Sequence, residues 1–469
     1  MRPSKQINLG GLQMLNINIT VISDFIKYFE HRKLEEKAIE RRFIKRNDGK
    51  LTASTFVKAF TIGLWGSHHS SLQQISQLCE DIQEGLNITK QALHQRLKSG
   101  VELMKEMLNC AIEYSLKYSA TIHKSGVFLQ FKNTYICDGT YVSLPNKLKQ
   151  FYRGTGGIRK KEAALKIQTM FNITTRSLRD LRIYEACDPN GYYHENILSI
   201  LQENDLIIHD LGYFKKEFFK QVSEKGAYYL SRLLSRTLFY SSMDTPQQTP
   251  LPLNKIFKQT SNFIDTQVCI GGNKKKRLPV RIIAVKLPKN IVEQRLRKAN
   301  IRSRGKTMSK IQKTLIAWNI VVTNAPVDKL TAEAAMELYK IRWQIELVYK
   351  AWKSHAGLCG IAHGGKEQME CMLYGRLVII TLMTTVFSQY YFLMLIGKGR
   401  ELSILRFFSH IRCKAMVILD YLNNHKYSIT KILTIFERST SKSLYEKRRR
   451  KTALEALMMS DATFLEYCG

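Results

Sequence analysis

"YKIRWQIELVYKAWKSH", residues 339–355, carries two chemistries on one short segment. At 100° per residue, Tyr339, Arg342, Glu346, Lys350 and Lys353 fall within roughly 80° of one another, while Ile341, Ile345, Val348 and Trp352 gather on the opposite side. The spacing predicts one helix with a buried face and a face that collects cations around a single carboxylate. A solvated surface gives the same pattern, because Arg342/Glu346 and Glu346/Lys350 are i,i+4 pairs worth about 0.2–0.5 kcal/mol each. Which meaning holds depends on what the rest of the chain brings to Glu346.

Just upstream, "LIAWNIVVTNAP" (315–326) reads as a strand closed by Asn324 and Pro326, and the helix is expected to begin near Thr331, with Glu333 placed for a capping-box-like start. Further back, "NTYICDGTYVSLP" (133–145) is β-branched and aromatic, interrupted by Asp138-Gly139 and stopped by Pro145. "DLIIHDLGYF" (205–214) is a short apolar run ending at His209-Asp210. Each segment is expected to deliver an aspartate at a strand end, although either acid could also belong to a simple turn or loop. Residues 164–173 and 178–183 can supply further strands of the same sheet.

The flanks differ in character. Residues 1–128 read as mainly helical, and 71–97 gives two apolar-periodic stretches around a break at Gly85 and Asn87, with Thr89 as an N-cap. With Lys90, Gln91, His94, Gln95 and Arg96 exposed, this pair is compatible with a DNA-reading helix-turn-helix, and equally with plain packing. Residues 226–314 hold strands in "YYLSRLLS" and "LPVRIIAVKLP", then a basic helix over 291–313 broken at Gly305. Between Lys274 and Lys313 stand 15 Lys or Arg and one acid, Glu293, more than solubility asks for. Leu377–Ile396 is 20 residues without a formal charge, the length of a bilayer span. Its Thr, Ser, Gln and Tyr content, in a strongly charged chain, favours a buried core helix. The C-terminal region is read as helical, with a basic stretch at 445–457.

Composition narrows the partners. In 469 residues, 73 Lys+Arg oppose 39 Asp+Glu, a net charge of +34 spread over most of the length. Such a surface collects polyanions, with nucleic acid the leading candidate and anionic membrane or ribosomal RNA behind it. Nine scattered cysteines without a C-x-x-C pair indicate neither a zinc site nor a disulfide framework. The N-terminus lacks an uninterrupted apolar h-region, so a reducing, cytoplasmic location is expected.

Asp138, Asp210 and Glu346 make an oxygen-only donor set suited to Mg²⁺ or Mn²⁺. Two such ions can activate an attacking oxygen and stabilise a leaving one in phosphoryl displacement. The spacing Y-(2)-R-(3)-E-(6)-K, met by Tyr339, Arg342, Glu346 and Lys353, resembles the motif of DDE transposases of the IS-four insertion-sequence family. "CDGTYVSLP", "HDLGYF" and "WNIVVTNAP" resemble, in order, that family's two aspartate segments and the strand before its glutamate helix. "EQRLRKANIRSRGKTMSK" resembles the basic part of its insertion domain.

The resemblance implies an α/β fold: a ribonuclease-H-like catalytic core interrupted by a mainly β insertion domain, with helical terminal regions. It divides the chain into a DNA-binding domain (1–128), the first part of the core (129–225), the insertion (226–314), the second part of the core (315–400) and a C-terminal helical region (401–469). It further implies Asp138, Asp210 and Glu346 as catalytic, metal-holding residues, with two ions. Tyr339, Arg342 and Lys353, with Lys350 beside them, are expected on the transposon end, and Trp318 on a flipped base. Implied partners are double-stranded DNA, as terminal inverted repeats and target, and a second copy in a synaptic homodimer. His209 and Leu211 depart from the small residue and arginine that often flank the second aspartate in relatives. The expected activity is metal-dependent cutting at terminal repeats followed by strand transfer. The alternatives are a catalytically silent DNA-binding derivative and a structure-selective nuclease.

Overall fold

The computed structural model describes residues 19–444, apart from 45–49, 68–70, 119–125, 156–162, 235–236, 242–249, 253–255, 258–261, 272–276, 303–307, 309, 360–363 and 424–427. Parts of the basic run at 274–313, including Gly305, and the basic stretch at 445–457 lie outside the described residues.

The fold is mixed α/β around one nine-stranded sheet. Its strands are β1 (Thr134–Ser143), β2 (Ala164–Asn172), β3 (Ser177–Glu185), β4 (Leu206–His209), β5 (Tyr228–Arg232), β6 (Phe239–Tyr240), β7 (Phe263–Ile270), β8 (Leu278–Lys286) and β9 (Trp318–Thr323). They run in the order β3-β2-β1-β4-β5-β9-β8-β7-β6. β1 pairs antiparallel with β2 and parallel with β4, and β4 pairs parallel with β5. β9 then joins antiparallel to β5, and β8 and β7 follow antiparallel in turn. The strands of 226–314 therefore extend the central sheet and do not build a sheet of their own.

Asp138-Gly139 is not a break. Asp138 pairs with Thr169 and Gly139 with Gln168, so β1 runs through both to Ser143. What ends at Cys137↔His209 is the parallel pairing with β4. The aspartate sits where one neighbour stops and the other continues.

The helices include α1 (Leu72–Ile82), α2 (Lys90–Lys117), α3 (Lys216–Glu224), α4 (Lys289–Arg302), α5 (Ala332–Ile341), α6 (Gln344–Ser354) and α7 (Lys366–Lys398). Three more, α8 (Ile404–Arg412), α9 (Ala415–Asn423) and α10 (Ser428–Ser443), follow. Thr89 caps α2, its hydroxyl accepting from the Ala92 N–H at 3.2 Å, and Gly85 takes φ +75° in the turn before it. Lys90, Gln91, His94 and Gln95 are exposed as the sequence predicts. Arg96 is not free, because its Nη1 donates to the Phe43 carbonyl at 3.0 Å. Residues 310–316 are helical, so the strand before the glutamate helix starts at Trp318 and not at Leu315.

α7 contains the apolar run 377–396. It is long and apolar enough to cross a membrane, yet 94% of its apolar window is buried inside the protein, which makes it the central core helix. Alternation along the strands sorts the core into two layers. Ile136, Ile208, Leu230 and Val321 pack with Ile345, Val348 and Trp352 on the α5–α7 side. Cys137, Ile207, Tyr229 and Val322 pack with Phe218 and Phe219 of α3 on the other.

Candidate active site

Register and alternation bring two aspartates together. Ile136 faces Ile208 and Cys137 faces His209 across the parallel β1–β4 pair, so the next residues, Asp138 and Asp210, are neighbours. Being one step beyond Cys137 and His209, both turn to the α5–α7 side of the sheet. On β5, Leu230 matches Ile208 and Ser231 matches His209, so Arg232 continues the same row beside Asp210.

The third acid arrives on a helix that is not continuous. α5 ends at Ile341 and α6 starts at Gln344. Across the junction the N–H groups of Trp343, Ile345 and Glu346 donate to the carbonyls three residues back, at 3.2, 3.2 and 3.0 Å. This tighter winding replaces the single expected helix. Tyr339 lies on α5, Arg342 in the junction, and Glu346, Lys350 and Lys353 on α6. Thr331 caps α5 by accepting from Ala334 N–H at 3.2 Å, and Glu333 is a first-turn acid and not the reciprocal partner of a capping box.

Arg342 ties the elements together. Its Nη1 donates to Asp138 Oδ2 at 3.0 Å and its Nη2 to Glu346 Oε1 at 3.5 Å. The second Asp138 oxygen accepts from the Gly139 N–H at 2.7 Å. Tyr349 donates to the Asp138 backbone carbonyl at 2.8 Å and meets the Thr169 hydroxyl at 2.6 Å, which pins α6 onto β1 and β2. Tyr339 is buried, with the Arg232 guanidinium 5.9 Å from its ring centroid.

The electrostatics follow from burial and crowding. Burial pushes the Asp138 carboxyl up to about 6; the Gly139 N–H and Arg342 pull against it, while Asp210 and Glu346 push further. Burial works against the Arg342 charge, but Tyr339, Asp138, Asp210 and Glu346 together hold its pKa above the ordinary value. Burial carries the Tyr339 phenol up to about 12, with Arg342 opposing and Asp210 adding. Arg342 is thus the charge on which all three acids and Tyr339 act, while Arg232 acts on Tyr339.

The donor set is all oxygen and fits a hard cation by its chemistry. Among the described residues, however, no three acidic, His or Cys side chains stand close enough to enclose an ion. The cation between Asp138 and Glu346 is the guanidinium of Arg342. Lys350 is exposed and Lys353 half-buried on the following turns of α6. Trp318 is not brought to the site: it is 4% exposed in the core layer on the α3 side, its ring 5.6 Å from Phe257. The strand that carries it alternates, and position 318 shares the face of Ile320 and Val322, away from Asp138 and Asp210.

Three residues near the site escape the sequence reading. Arg232 ends "YYLSR" as Asp210 follows "LIIH", a parallel legible only once the two strands are known to be neighbours. Tyr349 lies at the border of the apolar face, and a buried phenol needs a partner, which Asp138 and Thr169 supply. Trp343, 55% exposed in the junction after Arg342, would sit on a helix flank were the helix continuous.

A family model described as a transposase DDE domain matches residues 129–382, more than half of the chain and the whole of this site. The chain belongs to the DDE transposase family. It is 27% identical over 434 residues to the transposase for insertion sequence element IS231F of Bacillus thuringiensis subsp. israelensis, covering 88% of this chain and 89% of that one. It is 26% identical over 480 residues to the transposase for insertion sequence element IS1151 of Clostridium perfringens, covering 95% and 97%. Among solved structures, the piggyBac transposase synaptic complex with hairpin DNA aligns at a TM-score of 0.36 and 11% identity over 95% of this chain and 87% of that one, a likeness too slight to carry an argument. DDE transposases are divalent-metal enzymes of DNA cleavage and strand transfer, and this chain is one of them.

Proposed function

We propose that this transposase cuts double-stranded DNA at the terminal inverted repeats of its insertion sequence and joins the released ends to target DNA, a cut-and-paste reaction, with Asp138, Asp210 and Glu346 as the catalytic triad. The observation that carries this is the placement of the acids on one side of the sheet: Asp138 and Asp210 directly follow the paired residues Cys137 and His209 of parallel β1 and β4, and Glu346 is joined to Asp138 through Arg342. The acidic triad would hold Mg²⁺, or Mn²⁺ in its place, as two ions, which when bound supply an activated attacking oxygen and neutralise the leaving one.

The remaining residues orient DNA. Arg342 and Arg232 present guanidinium groups suited to phosphate oxygens, and Lys350 and Lys353 extend the positive face along α6. Neither lysine forms an ion pair among the described residues, so both are open to a backbone phosphate. Tyr339 packs under Arg232 and fixes the height of that row. In this reading, water attack on the end phosphodiester breaks the bond between phosphorus and the O3′ of the element's terminal nucleotide, leaving a 3′-hydroxyl on the element and a 5′-phosphate on the flanking DNA; that hydroxyl oxygen then attacks a second phosphodiester in the same in-line geometry and expels its O3′.

The architecture is read as a ribonuclease-H-like core, supported by the five-strand order β3-β2-β1-β4-β5 with only β2 reversed. β6–β8 and α4 are the insertion. In this reading β5 belongs to the core order, and the insertion is taken to begin beyond Arg232 and not at 226. The helical N-terminal region, with the exposed start of α2, is the further DNA contact. A homodimer that synapses two ends, acting in the cytoplasm on the nucleoid, completes the reading. The test is a duplex carrying the element's own ends against one with the repeat scrambled. Cutting confined to the repeat boundary supports a transposase over a structure-selective nuclease, and equal cutting of both overturns it.

A further inference from the structure

We infer that Arg342 is a built-in counter-cation: without metal and DNA its guanidinium occupies the place between Asp138 and Glu346, and it must leave for a divalent ion to bind there. The inference rests on the reading of Asp138, Asp210 and Glu346 as the metal-holding acids.

The geometry points this way from both ends of the side chain. One fork nitrogen is 3.0 Å from Asp138 Oδ2 and the other 3.5 Å from Glu346 Oε1. An ion bound to those same two oxygens would lie within a few ångströms of the guanidinium, and like charges that close repel strongly in a partly buried site. Asp138 Oδ2 and Glu346 Oε1 are both shared with Arg342, so an ion that takes those two oxygens competes with the guanidinium. Asp210 adds a third negative charge beside the pair, so a site emptied of any cation would be the least stable arrangement.

The location of Arg342 gives it an exit. It stands in the junction between α5 and α6, where the i→i−3 bonds replace the regular ladder. A planar fork that matches a carboxylate matches a phosphate equally well. A DNA phosphate near Arg232 and Tyr339 offers Arg342 that second partner, and freeing Asp138 and Glu346 then raises metal affinity. By linkage, metal binding frees Arg342 for DNA to the same extent. The device keeps the triad quiet until both ligands are present.

Mn²⁺ binding to the full-length, DNA-free protein, followed by the electron paramagnetic resonance signal of the free ion, tests this without reference to activity. Arg342→Gln should bind Mn²⁺ roughly tenfold tighter than wild type or better, a coupling of ordinary size. Arg342→Lys, a point charge that cannot bridge both acids, should fall between. Adding Asp138→Asn to either should abolish the gain. If Arg342→Gln fails to fold, Arg342→Lys alone decides, and it must bind more tightly than wild type. Equal or weaker binding in the arginine variants, with binding still lost on Asp138→Asn, overturns this inference and leaves the metal-site reading standing. Binding that ignores Asp138→Asn overturns the metal-site reading and this inference with it.

Discussion

The hydroxyl of Tyr349 donates to the backbone carbonyl of Asp138 at 2.8 Å and touches Thr169 at 2.6 Å, so one phenol fixes the glutamate helix to the strand of the first aspartate. Tyr349→Phe keeps the ring packed against Trp352 and removes only that tie. It leaves a buried carbonyl and a buried hydroxyl short of a partner, at a cost of about 1–3 kcal/mol. We expect a lower melting temperature and a cleavage rate that falls further than end binding does. Unchanged cleavage would mean that α6 is held by its apolar face alone.

Trp318 and Trp343 should behave oppositely. Trp318 fills the core beside Phe257, and Trp318→Ala should destabilise by about 3–5 kcal/mol. Trp343 is exposed, and Trp343→Ala should shift stability by no more than about 0.5 kcal/mol. Duplex DNA should quench the indole of Trp343 and not that of Trp318. With Trp65 and Trp352 also emitting, fluorescence titration compares wild type with Trp318→Phe and Trp343→Phe: the DNA-induced quenching should shrink in Trp343→Phe and not in Trp318→Phe, and an undiminished quenching in Trp343→Phe contradicts the placement.

Gly375 of α7 lies against the segment Ala59–Gly63. A Cβ there would meet the Phe60 carbonyl oxygen at 2.0 Å and the Met104 methyl at 3.3 Å. Backbone cannot yield as a flexible side chain does, so Gly375→Ala should separate α7 from the N-terminal helices at a cost of about 1–3 kcal/mol or more. Denaturant unfolding reads the loss. A wild-type midpoint would show that this contact is slack.

Acid should loosen the layer behind Asp210. His194 stacks on Phe218 at 4.0 Å and His209 on Phe219 at 5.3 Å, and burial lowers both imidazoles to about 4 from an ordinary 6.5. The folded state therefore binds fewer protons than the unfolded one between those values. Its stabilising share is complete above about pH 6.5 and is lost as pH falls to about 4, on the order of 3 kcal/mol per ring. Melting temperature followed from pH 7 to 4 should drop, and His194→Leu should flatten the drop. A variant with the wild-type slope would place the acid sensitivity elsewhere.

Much of this site was legible because its residues are local in sequence or sit on short periodic segments. Asp138 and Asp210 stand beside apolar runs whose β character is plain, and Thr89 and Thr331 announce the helices they cap. The apolar stretch 377–396 was readable as core from its scattered Thr, Ser and Gln. What failed was phase. A helical wheel over 339–355 assumes a constant 100° step, and the i→i−3 bonds at Arg342–Glu346 break it. Trp318 was assigned by its place in a motif, whereas the face of a strand is decided by the register of β9 on β5 and β8. Arg232 depends on the same long-range pairing and has no local mark.

The central claim is that Asp138, Asp210 and Glu346 together perform metal-dependent cleavage at the ends of the element. The direct measurement is cleavage of a duplex bearing those terminal repeats, with Mg²⁺ or Mn²⁺, by wild type and by Asp138→Ala, Asp210→Ala and Glu346→Ala, with binding followed in parallel. The account predicts that wild type cuts at the repeat boundary and that each variant still binds and does not cut. A variant that cuts like wild type would contradict the triad, and binding without any cutting by wild type would make the chain a silent derivative of its family.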